Sequence, residues 1–188
     1  MNVAAAILAG GRASRMGGRA KSFLMVEGAR VIDRQLAVLR TLTTEILVVA
    51  GDAAPYAPLG VTVVADADEH AGQGPLAGIL AALTAAHAEH VLVVACDMPF
   101  LDAAALARLR DAPDDVDLAV AVGERPEPLC ARYARRVAPL LRHRIVTSQR
   151  RATDVLDDPS LRVARITYTS HERRFLTNVN TPSDLGAL

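Results

Sequence analysis

The hydrophobic residues of the chain are grouped into short continuous runs, which are separated by longer amphipathic stretches. An apolar run of about four to eight residues between polar segments is typical of a buried strand in a parallel sheet. Such runs occur at Val3–Ala9, Glu45–Ala50, Val61–Ala65, Val91–Ala95 and Leu118–Val122. Because helical stretches separate them, the pattern predicts an α/β fold, a three-layer sandwich with a mostly parallel sheet.

Three stretches have the period of a helix. The first spans Val31–Leu42, where Gln35 is the one polar residue among the positions with helical spacing. The second begins at Gly74-Pro75, and the third is capped by Asp102 and ends near Leu109.

The last third of the chain is less regular. It predicts a strand at Leu129–Tyr133, a helix at Arg136–Leu141 and a strand at Arg162–Ile166. No repeat, low-complexity segment or linker marks off a second domain. We therefore predict a single domain over residues 1–188, the size of which suits one hydrophobic core.

Composition and charge exclude several classes of protein. The 21 basic and 21 acidic side chains give a formal net charge of zero, which argues against binding to a nucleic-acid backbone. No apolar run approaches the ~20 residues of a membrane span, and the first run lacks the basic residues and cleavage site of a signal peptide. We expect a cytoplasmic protein with neither a membrane nor a nucleic acid as partner.

Cysteine and histidine offer no obvious catalyst. Cys96 and Cys130 are far apart and form no CxxC pair. They are interpreted as small buried apolar residues, although a disulfide between them is an alternative. The five histidines show no metal-site spacing.

A glycine- and arginine-rich turn, LAGGRASRMGGRAK, follows the first predicted strand from Leu8 to Lys21. Gly10 and Gly11 allow the backbone to turn with its N–H groups pointing inward, which is a way to bind anionic oxygens. Arg15 and Lys21 supply the positive charge that a triphosphate needs. The turn therefore predicts a triphosphate site.

Two familiar phosphate-binding motifs do not match this turn. The dinucleotide fingerprint GxGxxG is absent, and Ala20 stands where the P-loop motif GxxxxGK[ST] requires glycine. An NAD-dependent oxidoreductase fits the alternation of elements but lacks this glycine spacing. A flexible surface loop is the remaining alternative to a phosphate site.

The segment Cys96-Asp97-Met98-Pro99-Phe100 follows the fourth strand. Ligands of parallel sheets bind at the carboxyl ends of the strands, and Mg²⁺ prefers one or two carboxylates together with waters and phosphates. Asp97 could instead cap the next helix, but Asp102 is better placed for that. We therefore predict a Mg²⁺ ligand at Asp97.

Polar and glycine residues also follow the second and third strands. Gly51 follows the second, Asp66 the third, and Gly74 and Gly78 flank the start of the next helix. A glycine inside a helix costs about 1 kcal/mol relative to alanine. Gly78 therefore indicates either close approach of a nucleotide or tight packing on the sheet.

The closing segment carries Asn178 and Asn180, which would face the same way on a strand. Two amides on one face suit a polar ring or a phosphate. The alternative is that both asparagines form turns.

The motifs LAGGxxxRMGxxxK, D…GPLAG, CDMPF and NVNTPxDL occur in this order over nearly the whole chain. Together they resemble the MobA family of molybdenum cofactor guanylyltransferases. The first motif is shared with many nucleotidyltransferases, whereas the combination is more specific. The resemblance implies a Rossmann-like nucleotidyltransferase fold and the transfer of GMP from GTP, with Mg²⁺, to the phosphate of molybdopterin, with release of pyrophosphate.

The resemblance also implies roles for individual residues. Arg15, Lys21 and Asp97 would be catalytic, with the metal on Asp97, and Asn178 and Asn180 would bind the acceptor in the C-terminal third. The nucleotide would be bound by Leu8, Ala9, Gly10, Gly11, Lys21, Gly51, Asp66, Gly74, Gly78 and Asp97. Transient contacts with molybdopterin-delivering and molybdoenzyme-maturation proteins would follow.

Two departures from the family pattern leave alternatives open. The family often has an asparagine near the end of the second strand, where this chain has Ala50-Gly51-Asp52. The nucleotide-binding carboxylate is either Asp66 or Asp68, and its position after the strand favours Asp66. A cytidylyltransferase of the same cofactor, another small-molecule nucleotidyltransferase, and a non-catalytic nucleotide-binding regulator or cofactor carrier remain alternatives. The spelling LAGG rather than LAAG favours GTP.

Overall fold

The computed structural model describes residues 2–10, 15–16, 19–65 and 74–179, with only the backbone for residues 15, 16, 19 and 20. Seven strands form one sheet. They are β1 (Val3–Leu8), β2 (Ile46–Val49), β3 (Thr62–Val64), β4 (His90–Ala95), β5 (Leu118–Val122), β6 (Pro126–Ala134) and β7 (Val163–Thr167).

The strand order is β7-β5-β6-β4-β1-β2-β3. The pairs β1–β2, β1–β4, β2–β3 and β5–β7 are parallel, whereas β6 runs antiparallel to β4 and β5. The predicted mostly parallel sheet is therefore confirmed. The chain proceeds outward from β1 in one direction and then crosses to β4, so the order reverses between β1 and β4, where such sheets bind ligands.

Helices cover both faces of the sheet. They are α1 (Val31–Leu39), α2 (Pro75–Ala85), α3 (Ala103–Arg110) and α4 (Ala138–Val146). One core joins α1 and α3 to the sheet, with Ile32, Leu36 and Leu106 fully or almost fully buried. The other core joins α2 and α4, with Leu83 and Leu141 fully buried. Two apolar faces of one sheet thus account for the three predicted layers.

The predicted boundaries are accurate in the N-terminal part and less so after β5. The Asp102 cap is confirmed, because its side chain accepts a hydrogen bond from the N–H of Ala105 at 2.7 Å. The predicted helix at Arg136–Leu141 is displaced, since Arg135–Val137 form a 3₁₀ turn and α4 continues to Val146. No helix among the described residues is long and apolar enough to cross a membrane.

Candidate active site

The carboxyl ends of β1 and β4 lie side by side at the point where the strand order reverses. The N–H of Cys96 donates to the carbonyl of Leu8 at 3.2 Å, and the N–H of Ala9 donates to Val49 at 2.8 Å. Ala9 is buried, while Leu8 and Gly10 are half-buried. The first predicted motif and the CDMPF segment therefore meet at one edge of the sheet.

Lys21 and Asp97 are brought together at this edge. The Lys21 Nζ lies 3.7 Å from the Asp97 Oδ2, and the two side chains retain 11% and 20% of their exposure. Both were predicted separately, from motifs that are 76 positions apart. A partly accessible ammonium and carboxylate in contact can each be reached by a small ligand.

Lys21 is held in place by contacts of the residues that follow it. Lys21–Phe23 form a 3₁₀ turn, and the hydroxyls of Ser22 and Tyr56 are hydrogen-bonded at 2.8 Å in a buried position. The rings of Phe23 and Tyr56 lie 5.2 Å apart between centroids. Burial raises the pKa of Tyr56, so its hydroxyl stays protonated and maintains the bond.

The turn that carries Asp97 is fastened to α1. The buried Gln35 Nε2 donates to the carbonyl of Ala95 at 2.7 Å and to that of Met98 at 3.0 Å. Arg34 Nε donates to the carbonyl of Pro99 at 3.0 Å. Sequence reasoning missed both roles, although a polar residue on the apolar face of a predicted helix was a signal for Gln35.

The C-terminal segment also reaches this turn. The N–H of Val179 donates to the backbone carbonyl of Asp97 at 2.8 Å, which brings the neighbouring Asn178 to the same edge. Asn178 is exposed and belongs to no strand. The expectation of a strand at Asn178 is therefore wrong, because Glu172–Leu176 form a 3₁₀ turn and leave only a short extended segment.

The remaining predicted residues have different positions. Gly74 precedes α2 with a φ of 91°, a conformation that strains any residue with a side chain, and a Cβ there would meet the carbonyl of Arg150 at 3.9 Å. Gly78 is buried within α2. Gly51 lies in an open, exposed turn after β2.

Several predicted residues lie outside the described part of the chain. They are Gly11, Asp66, Asp68, Asn180 and the side chain of Arg15.

Comparison with known proteins agrees with the geometry of the candidate site. Residues 5–164 match the model of the family described as MobA-like NTP transferase domain. The chain belongs to this family. As a MobA-like NTP transferase it is an enzyme that transfers a nucleotidyl group.

Relatives of this MobA-like NTP transferase are similar over most of its length. A probable molybdenum cofactor guanylyltransferase of Carboxydothermus hydrogenoformans is 35% identical, over 97% of this chain and 93% of its own. A molybdenum cofactor guanylyltransferase of a Shewanella species is 40% identical over 69% of this chain and 67% of its own. The crystal structure of molybdopterin-guanine dinucleotide biosynthesis protein A of Archaeoglobus fulgidus superimposes with a TM-score of 0.79, at 27% identity, over 98% and 95% of the two chains.

A groove of about 660 Å³ lies between α2 and the C-terminal elements of the MobA-like domain. Apolar side chains, arginines and two unpredicted carboxylates, Glu127 and Asp157, line it. Burial raises the pKa of Glu127, while the charge of Arg125 lowers it and that of Asp97 raises it. Glu127 precedes the paired part of β6, opposite the end of β4 that Asp97 follows, so this groove lies at the same edge of the sheet as the Lys21–Asp97 pair.

MobA-like nucleotidyltransferases act with a divalent metal ion, and Asp97 is suited to hold one. Within the described ranges, no three histidine, cysteine, aspartate or glutamate side chains form a complete metal site. A divalent ion of the Mg²⁺ type is commonly held by one or two carboxylates together with substrate phosphates and water. The neighbouring Cys96 is buried, and burial raises the pKa of its thiol to about 12.

Proposed function

We propose that this chain is a molybdenum cofactor guanylyltransferase, which transfers GMP from GTP to the phosphate of molybdopterin and releases pyrophosphate. One observation carries the proposal: the Lys21–Asp97 contact at the reversal of strand order. The names of the similar guanylyltransferases support the choice of substrates.

The reaction needs charge compensation more than proton transfer. An oxygen of the acceptor phosphate forms a bond to the α-phosphorus of GTP, and the bond from that phosphorus to the β-phosphate oxygen breaks. The attacking oxygen is already anionic at neutral pH, so no general base is required. The site must bring two anions together and align them, which is mostly a matter of positioning and electrostatics.

Lys21 is suited to the triphosphate side of this reaction. Its side chain retains 11% of its exposure and its Nζ lies 3.7 Å from the Asp97 carboxylate, so phosphate oxygens can reach the ammonium at this edge of the sheet. In a partly desolvated site a positive charge stabilises the charge on the transferring group more strongly than it would in water. Arg15, from the same motif, is proposed to add a second cation.

We propose Mg²⁺ as the divalent ion and Asp97 as its protein ligand. When bound, the ion would supply positive charge to the α-phosphoryl group and the departing pyrophosphate. Gln35 and Arg34 keep the carboxylate in place through the backbone of the Asp97 turn.

The roles of the other residues are assigned from the sequence motifs in which they lie. Leu8–Gly11, Gly51, Asp66, Gly74 and Gly78 are proposed to line the nucleotide, and Asn178 and Asn180 the acceptor. Arginines of the adjoining groove, Arg125, Arg150 and Arg151, have the charge needed for a phosphate. A single domain, a cytoplasmic location and contacts with cofactor-delivering and molybdoenzyme-maturation proteins remain predictions.

A nucleotide panel tests the proposal. The purified protein is incubated with Mg²⁺, molybdopterin and one of GTP, CTP, ATP or UTP, and pyrophosphate release is measured. We expect GTP to be the preferred donor and release to depend on molybdopterin. Release with CTP but not GTP would replace the guanylyl assignment by a cytidylyl one, and no release with any nucleotide would contradict nucleotidyl transfer to this acceptor.

A further inference from the structure

Glu127 is placed beside the active site by the pairing of β4 and β6. These strands are antiparallel, and Cys130 of β6 lies opposite Val94 of β4. Glu127 lies three residues before Cys130 and Asp97 three residues after Val94, so both lie beyond this last pair at the same edge of the sheet. The sheet therefore directs Glu127 to the same edge as Asp97, although the two residues are far apart in sequence.

The groove around Glu127 combines apolar walls with a basic rim. Pro126, Pro128 and Leu129 flank the carboxylate on β6, and further apolar side chains come from the facing elements. Those residues are Pro75, Ala152 and Leu156. Such walls favour a planar ring over a flexible polar chain.

Positive side chains outnumber negative ones among the residues that line the groove. Arg165 is paired with Asp157, with 2.9 Å between Nη2 and Oδ1. Arg125, Arg150 and Arg151 are exposed and line the same groove. Three arginines give the rim a surplus of positive charge, which suits a ligand that carries a phosphate.

Within the described part of the chain, Glu127 forms no ion pair with these arginines. Among the described residues its carboxylate accepts no hydrogen bond and lies within 4 Å of no basic side chain. A half-buried carboxylate without a partner is costly, because burial removes water that nothing replaces. A carboxylate in this state is suited to donors that a ligand brings.

The ligand that brings hydrogen-bond donors to Glu127 is expected to have a planar ring and to carry a phosphate elsewhere. A 2-amino-4-oxopyrimidine ring, as in a pterin, has an N–H and an NH₂ group side by side on one edge. Two parallel N–H donors match the two oxygens of one carboxylate, in the same way as a guanidinium does. Guanine has the same edge, but none of the described residues of the glycine-rich turn, to which the nucleotide is assigned, lines this groove. The groove is therefore matched to the acceptor of the proposed reaction, which is a phosphorylated pterin.

We propose that Glu127 determines acceptor specificity by accepting hydrogen bonds from the aminopyrimidinone edge of the pterin, while the arginine rim holds its phosphate. The assignment rests on the proposed function. It makes Glu127 a residue of acceptor recognition, with no part in binding GTP.

Kinetics of Glu127→Gln test this role. The amide keeps the size of the side chain but replaces one acceptor oxygen by a donor. We expect KM for molybdopterin to rise about tenfold, as for loss of a hydrogen bond to a charged group, and KM for GTP to stay the same. Glu124→Gln is the matched control, since Glu124 is 87% exposed and paired only with Arg173 among the described residues; its KM values should equal those of the wild type.

A binding measurement tests the same role without turnover. The affinities for 6-hydroxymethylpterin and for 6-hydroxymethyllumazine, in which a carbonyl replaces the amino group, are measured by quenching of the ligand's fluorescence. Wild-type protein should prefer the pterin, and Glu127→Gln should lose the preference while retaining the wild-type melting temperature. Equal binding of the two ligands by wild-type protein would overturn the inference even if the variant failed to fold.

The outcomes separate this inference from the proposed function. Turnover of GTP and molybdopterin by the wild type, with an unchanged acceptor KM in Glu127→Gln, contradicts the role of Glu127 alone. Absence of turnover by the wild type contradicts the proposed function, whatever the pterin and lumazine measurements give.

Discussion

Two charged centres of the described molecule differ in how deeply their charged groups are buried. At the candidate active-site edge, Lys21 and Asp97 approach to 3.7 Å and both stay partly exposed. On β6, the guanidinium of Arg132 is fully buried and donates to the carbonyls of Ala112 and Pro113, each at 2.6 Å, and of Arg110 at 3.2 Å. The backbone around Arg132 provides short, fixed acceptors, whereas the contact between Lys21 and Asp97 is longer and reaches the surface.

This difference separates a structural charge from a functional one. A buried charge is stable only if its hydrogen bonds are satisfied, so Arg132 is tied to the chain that connects α3 to β5. A charge that must bind a substrate cannot be saturated by the protein. Substitutions should therefore affect stability at one centre and activity at the other.

The largest expected effect is on catalysis at Asp97. Asp97→Asn keeps the size of the side chain but removes the charge proposed to hold the metal ion. We expect kcat to fall at least about a thousandfold, with the free energy of unfolding changed by less than about 0.5 kcal/mol. Steady-state pyrophosphate release and urea unfolding measure the two quantities.

Asp102→Ala is the control for the aspartate substitution. It removes the cap of α3, so stability should fall by about 1 kcal/mol while activity is retained. Near-normal turnover of Asp97→Asn would show that this carboxylate is not an essential ligand.

The second effect is on stability at Arg132. Arg132→Met keeps much of the volume but leaves the carbonyls of Arg110, Ala112 and Pro113 without this donor. We expect the free energy of unfolding to fall by about 3 kcal/mol or more, while KM for GTP in the folded fraction stays within about twofold of wild type. Chemical denaturation checks the first expectation. A loss of activity greater than the loss of folded protein would contradict a purely structural role.

The smallest expected effect on stability and KM comes from the Ser22–Tyr56 hydrogen bond, which helps to hold Lys21 in place. Tyr56→Phe keeps the ring that contacts Phe23 and removes the hydroxyl that bonds Ser22. We expect about 1 kcal/mol less stability and a several-fold higher KM for GTP, because Lys21 is less well held. Ser22→Ala breaks the same bond from its other side, so the double variant should be no worse than either single one. Additive effects would show that the two hydroxyls act separately.

The sequence was most informative where strands are buried on both faces. The bounds of β5 were predicted to the residue and those of β1 and β4 to within one residue, since a parallel strand covered by helices is apolar throughout. Asp97 was predicted as a site residue for the same reason, because the end of such a run marks the ligand-binding edge, and the structure places it beside Lys21.

Features that depend on tertiary pairing were not predictable. Glu127, which is proposed to recognise the acceptor, lies on an antiparallel strand whose pairing with β5 shifts in register between Glu127 and Ala131. Gln35 acts on the Asp97 turn from another element, so only its polarity on an apolar face gave a hint. The strand predicted at Asn178 was wrong, because two alternating asparagines resemble a strand whether or not a partner strand is available.

The hydrogen bond from the N–H of Val179 to the carbonyl of Asp97 has a consequence for how the enzyme can evolve. It joins the turn proposed to bind the metal to the segment proposed to face the acceptor, and it uses main-chain atoms alone. Residues on either side of this joint can therefore change in chemical character without changing their spacing. Members of such a family can acquire different acceptors while the distance between the two substrates is inherited unaltered.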